Sequence, residues 1–162
     1  RRIAERLAHN TQDGRQTVIV IDEAHLIEDR RVLNALHLLL NFAQPQHLEF
    51  TLLLVGDLTL ALQIQRLPYL NERIAVKGLI HPLSKEETAR YVEHRMSAAG
   101  ASKRIFVESA LQALFEFSGG VPRRINRLAD LALLVGYADG LSSIGVAEIE
   151  AVTDEFIGSS AA

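Results

Sequence analysis

The sequence contains no cysteine, so neither a disulfide framework nor a thiolate metal cage is available to it, which fits a reducing compartment. It also lacks long hydrophobic runs. The longest apolar stretches, around Val18 to Ile21 and Leu52 to Val55, fall far short of the roughly 18 to 20 residues that cross a bilayer. No transmembrane segment is expected. Charge of one sign is missing too: 17 basic and 20 acidic side chains leave a formal net charge of −3, which offers no global field to nucleic acid or an anionic membrane. Any basic site must be local. Six histidines include no His-Glu-x-x-His or similarly tight pair, which argues against a zinc site. The opening Arg1-Arg2-Ile3 has neither methionine nor the apolar core of a signal peptide, and reads as an interior piece of a longer protein.

What remains is an ordinary globular composition, 48% hydrophobic and 23% charged over 162 residues, enough for one domain or a core with a small appendage. Ile3, Leu7 and Ala8 give a helical pattern over residues 1–9, ended by the turn formers Asn10 to Gly14. Thr17-Val18-Ile19-Val20-Ile21 is a β-branched run that stops at Asp22-Glu23, the pattern of a strand buried on both faces. Val32, Leu33, Leu36, Leu39 and Leu40 recur at helical steps between Glu28 and Phe42, before Pro45 closes the element. Phe50 to Val55 repeats the buried-strand pattern and ends at Gly56-Asp57. Strand, helix and strand predict a βαβ unit with parallel strands, whose carboxyl ends carry Asp22, Glu23 and Asp57 to the same side.

Beyond a helix over Leu58 to Gln65, residues Ile74 to Ile80 suggest a third strand, interrupted by Lys77 and Gly78. From His81-Pro82 onward only helical patterns occur, over residues 84–99, 107–117, 122–137 and 146–156. Ser84 followed by Glu87 predicts a capping box. The expected organisation is an α/β core over residues 1–81, a helical lobe over 82–157, and a frayed small-residue tail over 158–162. Leu128, Leu131, Leu133 and Leu134 read as core stripes.

Val18 to His25 is the sharpest chemical signal, a strand that delivers two adjacent carboxylates to solvent. One carboxylate so placed can hold Mg²⁺ through its water shell beside nucleotide phosphates, and the next can polarise an attacking water. Asp22 takes the first role and Glu23 the second; the plainer alternative is a loop start that caps the following helix. His25, beside Glu23, is open between a relay to the next helix and a loop-packing role.

This segment resembles the Walker B motif of AAA+ ATPases, most closely those of the general secretion pathway protein A type. Leu54-Val55-Gly56 with Leu60 resembles that family's sensor 1, and Asn71-Glu72-Arg73-Ile74 its arginine-finger segment. Leu83 to Thr88 with Tyr91 and Arg95 resembles the entry to its lid helices, and Gly119-Gly120-Val121-Pro122-Arg123-Arg124-Ile125-Asn126 its sensor 2. The resemblance runs from about residue 15 to residue 150. It implies an α/β fold, a partial P-loop NTPase core with a parallel sheet followed by an all-helical lid. It also implies ATP with Mg²⁺, a homo-oligomer in which Arg73 reaches a neighbour's γ-phosphate, and Arg123 on bound phosphates. Pro122 at a helix start puts Arg123 near the positive end of the helix dipole. For Arg124 and Arg127 a solvated helix face is the preferred reading.

Two departures stand beside the resemblance. Asp57 occupies the place where the family usually has glutamine, and its charge would repel γ-phosphate unless protonated or bridged by metal; Thr59 is a substitute polar contact or a helix cap. No Gly-x-x-x-x-Gly-Lys-Ser/Thr occurs, so the phosphate cradle is expected upstream in the parent, and this segment alone is expected to be inactive. The resemblance further implies assembly or remodelling work, with a secretion-assembly protein as partner, in the cytoplasm or at the cytoplasmic face of the inner membrane. The alternatives are a DNA-binding transposition regulator and a non-catalytic scaffold that retains the fold. A DEAH-type helicase is disfavoured, because neither Ser-Ala-Thr nor the arginine-rich later motif follows.

Overall fold

The computed structural model describes residues 2–43 and 49–159. They form a mixed α/β structure with mostly helices, divided into two compact units, Arg1–Gly78 and Leu79–Ala162.

In the first unit, helix α1 (Arg2–Gln12) buries Leu7 and leads to strand β1 (Thr17–Ile21). The Asn10 amide donates to the Thr17 hydroxyl at 2.9 Å, tying the helix end to the strand start. A 3-10 turn (Ala24–Leu26) follows, then α2 (Arg30–Ala43), β2 (Phe50–Leu54), α3 (Leu58–Gln65) and α4 (Pro68–Asn71). The two strands pair in parallel with Thr17 opposite Phe50 and Ile21 opposite Leu54, and α2 is the crossover between them. Pro45, expected to end α2, lies outside the described residues. Leu33, Ile64, Leu67 and Leu70 form the core that α2, α3 and α4 share.

Two expectations for this unit are corrected. The strands are not buried on both faces: Ile19, Ile21, Leu52 and Leu54 are half-buried, whereas Val18, Val20 and Leu53 are about half exposed (58%, 56% and 48%). Alternate side chains leave opposite faces of a sheet, and only one face has a covering layer among the described residues. Residues 74–80 form no strand: the backbone from Ile74 onward has no ladder partner, and Val76 and Ile80 are exposed.

The second unit packs α5 (Lys85–Ala98), α6 (Glu108–Ser118), α7 (Pro122–Ala138) and α8 (Val146–Ser159) around one apolar core. Ser84 starts α5 with a complete capping box: its hydroxyl accepts from the Glu87 N–H, and the Glu87 carboxylate accepts from the Ser84 N–H at 2.8 Å. Gly119 in the left-handed conformation ends α6, and Pro122 opens α7. Ile125, Leu128, Ala129, Ala132 and Gly136 face the core of α7, so Leu134, expected inside, points to solvent at 63% exposure. Helix α8 extends through Gly158 and Ser159, where fraying was expected; residues 160–162 lie outside the described residues.

Candidate functional site

β1 and β2 end together, and the ladder continues one step past them. The Val55 N–H donates to the Ile21 carbonyl at 2.9 Å, and the Ala24 N–H donates back to the Val55 carbonyl at 2.8 Å. These bonds fix Asp22-Glu23 beside Gly56-Asp57 at the carboxyl ends of adjacent parallel strands, where open α/β sheets place their ligands. Asp22 and Glu23 are both exposed. Asp22 Oδ1 accepts from the Glu23 N–H at 2.9 Å. Glu23 has φ 51°, the single left-handed non-glycine residue among those described, and that turn separates its side chain direction from that of Asp22. Neither acid makes a side-chain cap to the short turn that follows.

His25 sits between the two strand ends with its ring largely covered, 18% exposed. Its Nδ1 lies 3.4 Å from Glu23 Oε2 and its Nε2 lies 3.6 Å from Asp57 Oδ2. The Asp57 N–H also points to Nδ1, at 3.4 Å. Two contacts fix the ring's location. The Gln63 side-chain amide of α3 donates to the His25 carbonyl at 2.9 Å, and Gly56 leaves room for the ring, since a Cβ there would lie 3.1 Å from Nδ1. The glycine quoted for the sensor-1 resemblance thus makes space for the histidine that closes the other motif.

Asp57 is the N-cap of α3, its carboxylate accepting from the Thr59 N–H at 2.8 Å and from the Thr59 hydroxyl. The capping expectation for Thr59 is therefore reversed, because Thr59 donates to the cap and Asp57 is the cap. The Thr59 hydroxyl is the first cause that holds the Asp57 carboxyl below the usual carboxylate range; partial burial opposes it, and the Thr59 N–H and nearby His25 add to it. An ionised Asp57 is already engaged by Thr59 and His25.

Arg73 follows α4 and is exposed, its guanidinium donating to Asn41 Oδ1 of α2 at 2.6 Å. Asn41 in turn lies 2.9 Å from His37 Nε2, and the His37 ring meets Tyr69 edge-on at 5.3 Å. The neighbouring acid Glu72 is not its hydrogen-bond partner among the described residues.

In the second unit, residues from two separate stretches of the resemblance converge. Leu83 N–H donates to the Gly120 carbonyl at 2.8 Å, and the Tyr91 hydroxyl of α5 donates to Asn126 Oδ1 of α7 at 3.0 Å. Arg95 reaches the same hydroxyl at 3.4 Å. Arg123 is exposed in the first turn of α7, with Arg124 exposed beside it.

Among the described residues, no group of three or more His, Asp or Glu side chains converges to ligate a metal ion. A single open carboxylate such as Asp22 nevertheless suits Mg²⁺, which keeps most of its waters and takes one or two protein carboxylates beside phosphates. No helix of the described residues is long and apolar enough to cross a membrane. The His25 bridge was the feature least legible beforehand, since nothing in the spacing of residues 23, 25 and 57 shows that one ring touches both acids.

No family model matches the chain. It is similar to the general secretion pathway protein A of Aeromonas hydrophila, 34% identical over 160 residues, covering 96% of this chain and 29% of that protein. The chain thus spans less than a third of the length of that relative.

Proposed function

We propose that this chain is part of an AAA+ ATPase of the general secretion pathway, with its nucleotide site completed by residues outside the chain. The observation that supports this best is the meeting of Asp22 and Glu23 with Asp57 at the adjoining carboxyl ends of two parallel strands. Similarity to general secretion pathway protein A over nearly the whole chain adds to it.

In this reading Mg²⁺ bound with ATP would supply charge neutralisation at the phosphates. Asp22 would hold that ion, with the carboxylate oxygen that does not accept from the Glu23 N–H. Glu23 accepts a proton from the attacking water, a task suited to an exposed carboxylate at a strand end. Arg73 acts in a neighbouring copy of a homo-oligomer, where a guanidinium stabilises charge on the transferring phosphoryl group. In this structure that guanidinium is held by Asn41 of α2. Arg123 contributes a cation from the first turn of α7, where the helix dipole already favours anions. Thr59 and Asp57 set the start of α3 beside the acids. The parent's work is assembly or remodelling of a secretion component at the cytoplasmic face of the inner membrane.

The test is Glu23→Gln in the full-length protein. ATP binding is expected to persist while hydrolysis slows by about 10² to 10⁴-fold, the scale for loss of a general base. Unchanged turnover, or no ATP turnover by the unsubstituted protein, would reject the reading.

A further inference from the structure

Asp57 presents a difficulty for nucleotide chemistry, because a carboxylate pointed at γ-phosphate is repulsive. Its surroundings supply another use. One carboxylate oxygen is occupied by Thr59, and the other faces the ring of His25. That ring is the most covered polar group at the strand ends, and its opposite nitrogen faces Glu23. The contacts, 3.4 Å and 3.6 Å, are longer than ideal hydrogen bonds, the length such bonds commonly have in a site before it fills.

Nδ1 also has two competing partners at the same 3.4 Å, the Glu23 carboxylate and the Asp57 N–H. An Nδ1 that carries hydrogen donates to Glu23, and an Nδ1 that does not accepts from Asp57. A carboxylate at Nε2 fixes the ring's orientation, and with it the position of Nδ1 beside Glu23. The charged groups facing the ring among the described residues are Glu23 from its own turn and Asp57 from the start of α3; Gln63, also from α3, is neutral and touches only the backbone.

We propose that Asp57 is a positioning residue that acts on Glu23 through His25, the three side chains forming one carboxylate–imidazole–carboxylate chain across the two strand ends. Asp57 then has no need to touch nucleotide. The inference rests on the hydrolysis reading for its kinetic consequence, and on geometry alone for the chain itself.

Asp57→Asn isolates the effect, since asparagine is as good an N-cap as aspartate and keeps the start of α3. In the full-length protein, Asp57→Asn and His25→Ala are each expected to lower kcat about 10- to 100-fold with KM for ATP unchanged, the scale of a misplaced reacting group. The double variant should fall no further than His25→Ala alone, because both remove the same support. His25→Asn, which retains a donor near Nδ1, should recover part of the loss. Multiplying effects, or an undiminished kcat in Asp57→Asn, would overturn the proposal.

A second readout is independent of turnover. With ¹⁵N-labelled histidine rings in the full-length protein, the His25 ring signals, assigned by their loss in His25→Ala, should move on both Asp57→Asn and Glu23→Gln. Signals unmoved by either substitution overturn the chain even where ATP is hydrolysed. Signals that move in a protein without ATP turnover support the chain and remove the hydrolysis reading.

Discussion

Gly120 has φ 72°, and a Cβ built on it would lie 2.0 Å from the Leu83 carbonyl oxygen. Gly119 has φ 62° with nothing near its missing Cβ. The pair separates backbone strain from contact. Gly119→Ala should cost about 1 kcal/mol, the penalty of a left-handed alanine. Gly120→Ala should cost about 2 to 4 kcal/mol, because strain is joined by a clash with backbone that cannot step aside. Urea unfolding of the two variants checks the difference; equal costs would mean that the Leu83 contact is dispensable. At this scale the sequence was legible where one residue carries one duty: the Ser84–Glu87 capping box is present as read. It was illegible where two duties compete. Asp57 and Thr59 are both good capping residues two positions apart, and backbone conformation alone decides that Asp57, extended with φ −77° and ψ −176°, is the cap.

Elements were readable where period and length agreed. The β-branched run of residues 17–21 and the apolar run of 50–54 form the two strands, and α3 has the bounds its pattern predicts. Periodicity failed at burial, because an uninterrupted apolar strand gives the same sequence whether one face or both are covered, and here Val18, Val20 and Leu53 remain in solvent. It also failed for residues 74–80, where apolar alternation is broken by Lys77-Gly78 and no partner strand is at hand among the described residues. Within α7 the same limitation put Leu134 in the core, though the helix turns it away from Ile125. That contrast gives a prediction. Ile125→Ala, at a fully buried position, should destabilise the helical unit by about 2 to 5 kcal/mol, whereas Leu134→Ala should stay within about 0.5 kcal/mol. Denaturant midpoints followed by far-UV circular dichroism test it, and a comparable loss from Leu134→Ala would show that its face is covered by something else.

The two units differ in how they are held. The helical unit has a continuous apolar core from Val92 to Val152, while the first gathers Leu33, Ile64, Leu67 and Leu70 under a sheet of two strands with one face bare among the described residues. Two strands are a marginal sheet by themselves. In the proposed reading, the carboxylates at the strand ends act on phosphates gripped by residues outside this chain. A structure of the full-length protein with Mg²⁺ and a non-hydrolysable ATP analogue is the decisive measurement. We expect Asp22 at the water shell of Mg²⁺, Glu23 within hydrogen-bond reach of a water in line with the γ-phosphate, and Arg73 of a neighbouring copy at that phosphate. Nucleotide bound away from the ends of β1 and β2, with Asp22 and Glu23 facing bulk solvent, would contradict the account.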